Sequence, residues 1–194
     1  MKSAAAIEVE TERRHAFCHL WWTRLEWRPE AGDPPSAIRG HRDTRQAWVR
    51  SKLALVTDDV EGAVAAIGRP PRPGRTVGYA GWSSCGDIVL LAFGDRPLAV
   101  DIEAVRSVPP GMGRRYGIDP DRFWQGWTSK EAVLKLLGSG LRIDPARLAL
   151  LGDGGAALDG KTLPICVEET EAPPGYVAAL AYVEDDGIGD AGGR

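Results

Sequence analysis

Cysteine is scarce in this chain. There are three, at positions 18, 85 and 166, odd in number, scattered, and without a C-x-x-C pair. That excludes a disulfide scaffold or a zinc site built on paired cysteines, and points to reduced thiols in a cytoplasmic protein. Long apolar runs are missing too. The longest, at residues 88–93 and 176–183, fall far short of the roughly 20 residues a helix needs to cross a bilayer. The opening MKSAAAIEVETERR lacks the apolar core of a secretory signal. Nor is there a basic excess: 24 Lys and Arg against 27 Asp and Glu leave a net charge of −3. A general nucleic-acid binder would be strongly basic, so that class is excluded as well. What remains is ordinary soluble-protein composition over 194 residues, 43% hydrophobic and 26% charged. That is enough chain for one sizeable core or two small ones. The basic residues are mostly arginine, a coding habit of GC-rich bacterial genomes.

The pattern of apolar residues reads as two α+β halves. Residues 15–24 alternate aromatic and polar side chains and predict the first strand. Residues 26–36 predict a loop, and 37–56 an amphipathic helix with Arg39, Arg42, Arg45 and Arg50 outside its apolar stripe. The stretch 68–74 is built of Pro, Gly and Arg and predicts irregular structure. Strands are expected at 77–82, 88–93 and 97–103. After a Pro/Gly/Arg loop at 105–117, Asp119 and Pro120 predict a capped helix running through Trp124 to about Leu137. Short strands follow at 147–151, 163–168 and 176–183. Residues 1–12 and 184–194 have the composition of disordered tails.

Two short stretches carry the chemistry. Val100-Asp101-Ile102-Glu103 follows an apolar run, and in a strand Asp101 and Glu103 would share one face. Trp127-Thr128-Ser129-Lys130-Glu131-Ala132-Val133-Leu134-Lys135 is helical in pattern, and Glu131 and Lys135, four apart, would share a face there. Three carboxylates and one ammonium that can converge describe a site for Mg²⁺ and a phosphorylated ligand. Each half alone also has a bland reading. An isolated D-x-E is most simply the solvated face of an edge strand. Glu131 with Lys135 could be a surface ion pair worth about 0.2–0.5 kcal/mol, and Thr128-x-x-Glu131 fits a helix capping box. The joint occurrence favours the functional reading.

That order, xVDIE followed by W-T-x-K-E-A-x-x-K, resembles the signature of the 4′-phosphopantetheinyl transferases of the larger, surfactin-synthetase-activating type. The resemblance covers roughly residues 39–183. Gly68-Arg69-Pro70 matches a basic G-K/R-P element of the family. Fourteen residues after Pro70 the family has the middle of a Ser-His-Ser stretch, which here reads Ser83-Ser84-Cys85. Asp101, the first metal carboxylate, comes seventeen residues after Ser84. The basic helix around Arg45 matches the one that receives the coenzyme A 3′-phosphate, and residues 174–180 resemble the family's last strand. Two departures stand out. Ser84 replaces a histidine that hydrogen-bonds the pyrophosphate; a hydroxyl can donate, but it is shorter and carries no charge. The stretch between Glu103 and Glu131 is also short for the larger type, so the loop over the site is trimmed.

The resemblance implies an α+β fold: a pseudo-two-fold pair of subdomains, each a helix on a small antiparallel sheet, with the active site at their interface. Residues 13–98 would form the half that grips coenzyme A, and 99–183 the half that holds the metal and docks the carrier. No internal repeat is visible, and the resemblance implies a monomer. Asp101, Glu103 and Glu131 would ligate Mg²⁺, with Mn²⁺ as the second hard cation and zinc disfavoured by an all-oxygen ligand set. Coenzyme A would be the co-substrate. A serine of an acyl or peptidyl carrier protein, of the kind used in bacterial polyketide or nonribosomal peptide synthesis, would attack its β-phosphorus and release 3′,5′-adenosine bisphosphate. The catalytic residues implied are Glu131 as proton acceptor, Lys135 against the phosphate charge, and Asp101. Arg45, Arg69, Ser83, Ser84 and Lys135 would bind the cofactor. Arg106, Arg114 and Arg115 in the trimmed loop read equally as docking charges for an acidic carrier helix or as a solvated loop. Trp127 is expected to pack the helix on the sheet. The alternative is a degenerate member that binds coenzyme A or a carrier without transferring anything, which Ser84 keeps open.

A rival motif is present. Residues 155–162, Gly-Ala-Ala-Leu-Asp-Gly-Lys-Thr, satisfy G-x-x-x-x-G-K-[ST], the pattern of a nucleotide-binding loop. That loop needs a helix starting at its Gly-Lys-Thr. A β-type run with Pro164 follows instead, so the match predicts a hairpin turn.

Overall fold

An unbroken apolar strand needs cover on both faces, and residues 88–93, Ile-Val-Leu-Leu-Ala-Phe, are such a run. The computed structural model, which describes residues 11–14, 17–25, 35–67 and 78–184, supplies that cover with four layers. The first sheet holds β1 (Thr11–Arg14), β2 (Cys18–Arg24), β3 (Tyr79–Cys85) and β4 (Ile88–Gly94) in the order β1-β2-β4-β3, antiparallel throughout. Against one face lie α1 (Pro35–Leu53) and α2 (Val60–Ala66). The second sheet holds β5 (Leu98–Ala104), β6 (Leu148–Leu150), β7 (Gly155–Leu158), β8 (Lys161–Thr170) and β9 (Tyr176–Val183), ordered β5-β9-β8-β7-β6. Between β5 and β6 come a short α3 (Met112–Tyr116) and α4 (Phe123–Leu136).

Strand alternation distributes the core. On β2 and β4, Leu20, Trp22, Ile88, Leu90 and Ala92 face Leu98, Val100 and Ile102 of β5 and Leu180 of β9, sealing sheet to sheet. The opposite residues, Trp21, Val89, Leu91 and Phe93, pack under Trp48, Val49 and Leu53 of α1. On the far side Ala99, Ala179 and Ala181 receive Ala132, Val133, Leu134 and Leu136 of α4. Burying each large aliphatic side chain contributes about 1.5–3 kcal/mol. The architecture is α+β, a helix layer on each of two antiparallel sheets, as the sequence implied. No helix among the described residues is long and apolar enough to cross a membrane.

Several boundaries differ from expectation. Thr11 and Glu12, placed in a disordered tail by composition, begin β1 and pair with Trp22 and Trp21. The Glu184 amide at the other end is bonded to the Pro164 carbonyl. The remaining tail residues, and the Pro/Gly/Arg stretch with Arg69, lie outside the described residues. Helix α1 starts at Pro35, because proline is at home in a helix's first turn. Helix α2 was not foreseen; the Asp59 side chain caps it by accepting from the Gly62 amide at 2.8 Å. Asp119 does cap as expected, accepting from Asp121 N at 3.0 Å, and opens a 3₁₀ turn (Pro120–Arg122) that leads into α4. The Gly-Lys-Thr match is the β7–β8 hairpin: Leu158 pairs with Lys161, and Asp159 and Gly160 have φ of 51° and 76°, the left-handed pair of a type I′ turn.

The two sheets also meet edge to edge. β3 and β5 run side by side without a ladder between them, and the closest approach is at Gly81. A Cβ there would lie 3.0 Å from Ala99 Cα and 3.4 Å from Leu98 O and Val100 N. All three are backbone or Cα atoms, which cannot swing aside. We expect Gly81→Ala to lower stability by about 1–3 kcal/mol as an overpacking change, measured by urea unfolding. An unaltered midpoint would mean that the strands part freely.

Candidate functional site

The contact at Gly81 sets a register between β3 and β5 that continues two residues at a time. Gly81 meets Ala99, Ser83 meets Asp101 and Cys85 meets Glu103. Asp101 and Glu103 thus share one side of β5 with Ala99, the side on which α4 packs. The edge-strand reading of the D-x-E pair is half right: β5 is an edge strand, yet Asp101 is 2% exposed and is no solvated residue.

Asp101 is held from two elements. Ser83 Oγ donates to its Oδ1 at 2.9 Å. Lys135 Nζ, from α4, donates to the same Oδ1 at 2.5 Å and to Ser83 Oγ at 2.9 Å. Lys135 therefore makes its ion pair across elements rather than with Glu131 one turn away. The other oxygen, Asp101 Oδ2, is buried without a hydrogen-bond partner. An orphaned buried carboxylate oxygen costs about 1–3 kcal/mol or more, and a hard cation is the partner that its chemistry suits.

Glu131 stands on α4 one turn before Lys135. Burial pushes its carboxyl up to about 7, and the charge of Asp101 adds to this. Lys135 pulls it down, Glu103 pushes it up again, and a hydrogen bond with Trp127 lowers it. Three carboxylates thus feel one another, which is the condition that a bound cation relieves. Among the described residues, however, no three His, Cys, Asp or Glu side chains converge as they stand on a point that could hold a metal ion. The capping-box reading of Glu131 is overturned. Thr128 lies inside α4, and its hydroxyl donates to the carbonyls of Trp124 and Gln125, both at 3.0 Å.

The predicted cofactor residues fall into two groups. Ser83 joins the carboxylate cluster. Ser84, next on the strand, points to α1, where Arg45 Nη1 donates to its Oγ at 2.6 Å. Burial lowers the pKa of that guanidinium. Arg69 lies outside the described residues. Arg106, read as docking charge or solvated loop, is exposed and lies against two neighbours. Its guanidinium is 3.6 Å from Glu103 Oε2 and 4.5 Å above the Trp124 ring. Trp127 is half-buried against Tyr116 and Phe123 in a small separate cluster, while Ala132, Val133, Leu134 and Leu136 are the α4 residues that meet the sheet.

Two residues escaped the sequence reading. Lys130 is buried, and its ammonium donates to the carbonyls of Tyr116, Pro145 and Leu148, tying α3 and the start of β6 to α4. Burial lowers its pKa. The signal was its place beside Glu131, on another face of the helix. Cys85 was passed over as a lone thiol, although it stands in the same spacing to Glu103 as Ser83 does to Asp101.

No family model matches the chain. Two relatives from Bacillus subtilis do. Over 156 residues, 71% of this chain and 70% of theirs, it is 23% identical to the 4′-phosphopantetheinyl transferase Sfp of strain 168 and 25% identical to the 4′-phosphopantetheinyl transferase ffp. Over most of its length the chain is therefore similar to phosphopantetheinyl transferases.

The raised carboxyl makes a prediction for the metal-free protein. A carboxyl whose pKa climbs from 4.5 to about 7 on folding stabilises the fold only while protonated. Its contribution is complete below pH 4.5 and is lost as pH rises through 7. Melting temperature should therefore fall between pH 5 and pH 8 in the wild type, and fall less in Glu131→Gln. Parallel curves for the two proteins would remove Glu131 from the buried cluster.

Proposed function

We propose that this chain is a phosphopantetheinyl transferase of the larger type, which moves 4′-phosphopantetheine from coenzyme A to a serine of an acyl or peptidyl carrier protein. The observation that carries the reading is the Ser83–Asp101–Lys135 cluster, drawn from three elements, with one Asp101 oxygen buried and unpartnered. Its relatives' names give the reaction class.

Asp101, Glu103 and Glu131 are the residues that would hold Mg²⁺, or Mn²⁺ in its place, once their side chains turn to a common point. When bound, the cation neutralises charge on the pyrophosphate. Lys135, already beside Asp101, offsets charge on the phosphoryl group in transfer. Glu131, on the helix that carries Lys135, is the group we assign to take the serine proton. The serine oxygen forms a bond to the β-phosphorus as the bond to 3′,5′-adenosine bisphosphate breaks. Arg45, presented through Ser84, supplies a planar cation for the nucleotide phosphates, and we assign Arg69 to the same task from sequence alone. Free cysteines at 18, 85 and 166 support a cytoplasmic setting.

The deciding experiment incubates the protein with an apo carrier domain, coenzyme A and Mg²⁺ and weighs the carrier. A gain of one phosphopantetheine is expected; binding of coenzyme A or carrier without that gain would favour a non-catalytic member. Asp101→Asn and Glu131→Gln should abolish the gain while remaining folded, as circular dichroism would show. A chelator should stop the reaction and added Mg²⁺ restore it. Near wild-type activity in either variant would refute the carboxylate assignment.

Arg45 makes a separate prediction. Arg45→Ala should weaken coenzyme A about tenfold or more, the loss of a charge-assisted bond, and weaken dephospho-coenzyme A less. Titration calorimetry with both ligands tests this. Equal losses would move Arg45 from the 3′-phosphate to the pyrophosphate or to the fold.

A further inference from the structure

The carboxylates of β5 are gripped alike. At Asp101, one oxygen takes both a hydroxyl from β3 (Ser83) and a cation (Lys135). At Glu103, one oxygen, Oε2, takes both a thiol from β3 (Cys85, 3.5 Å) and a cation (Arg106, 3.6 Å). The Cys85 sulfur also accepts the Ala104 amide at 3.3 Å. An N–H donated to a sulfur lone pair leaves the S–H proton to be given away, and the carboxylate is the acceptor in reach. Arg106 is fixed in turn: its carbonyl accepts from Trp124 Nε1 at 2.6 Å, and its guanidinium lies on the same ring.

We propose that Cys85, with Arg106, is a positioning residue that orients Glu103 as a ligand for the divalent cation, the counterpart of Ser83 with Lys135 at Asp101. This rests on the metal-dependent reading above and deepens it. Each carboxylate of β5 is then held by a donor from β3 and a cation.

The test measures Mn²⁺ binding to the free protein by electron paramagnetic resonance. Cys85→Ala should weaken Mn²⁺ about three- to tenfold, the loss of one ordinary hydrogen bond. Cys85→Ser, which keeps a donor, should stay within about twofold. In a Glu103→Gln background Cys85→Ala should have no further effect, since the group it orients is gone. If the alanine variant fails to fold, Cys85→Val fills the space without a donor and serves instead. Exchange of the Ala104 amide should quicken in the alanine or valine variant and not in Cys85→Ser. Wild-type affinity in Cys85→Ala, or the same loss with and without Glu103, would overturn the proposal. A wild-type protein that binds no Mn²⁺ overturns it together with the metal reading. Mn²⁺ binding with the expected pattern, in a protein that modifies no carrier, upholds the clamp and refutes the transfer.

Discussion

Edge strands from separate sheets can touch backbone to backbone only where one of them has no side chain in the way. Gly81 supplies that place, and its contact with Ala99 fixes how every later residue of β3 meets β5. Because side chains alternate with a period of two, Ser83 and Cys85 arrive opposite Asp101 and Glu103. Helix α4 lies on the same side of β5 through Ala132 and Leu136, so a long side chain on its next turn reaches the strand. Lys135 is that side chain. The cluster therefore follows from one close approach plus two periodicities, and needs no long loop to assemble it.

Its electrostatics run against simple stability. Asp101 is almost wholly buried, and a buried charge costs several kcal/mol unless it is paired and fully bonded. Lys135 and Ser83 offset this at one oxygen only, while Oδ2 has no partner. Glu131 is forced up to about 7 nearby, first by burial and then by Asp101. Apolar residues at both 101 and 135, replacing the pair together, would serve the fold better. Cost of this kind, gathered at one seam between two sheets, marks a candidate functional site.

The sequence made the parts legible and left their partners hidden. Asp101 with Glu103, and Glu131 with Lys135, were readable because strand and helix periods are local properties. The β7–β8 turn was readable because a β-type run with Pro164 follows Gly-Lys-Thr where a nucleotide loop needs a helix, which disposed of the nucleotide-loop match. Who pairs with whom is tertiary. Residues four apart on a helix suggested Glu131 with Lys135, yet Lys135 reaches Asp101 from another element. Cys85 and Arg106 were illegible for the same reason: only the β3–β5 register gives a lone thiol and a loop arginine a common carboxylate. Short elements were lost too. Helix α3, with five residues, is held by its surroundings rather than by propensity. The polar strand β1, Thr-Glu-Arg-Arg, has no alternation to read.

Strand alternation also bears on the replaced histidine. Ser83 and Ser84 are neighbours, so they cannot serve the same side of β3, and it is Ser83 that meets the carboxylates. Ser84 faces α1 and receives Arg45. A histidine there would bring its own positive charge on a longer side chain. A serine brings none, but its hydroxyl can accept from a guanidinium and hold it at the strand. On the proposed reading, the cation that the histidine would provide comes from the helix instead. That exchange trades a group that titrates near neutrality for one that stays charged. On that reading, phosphate recognition on this side of β3 would depend on how α1 packs, through Trp48, Val49 and Leu53, rather than on a strand residue's protonation.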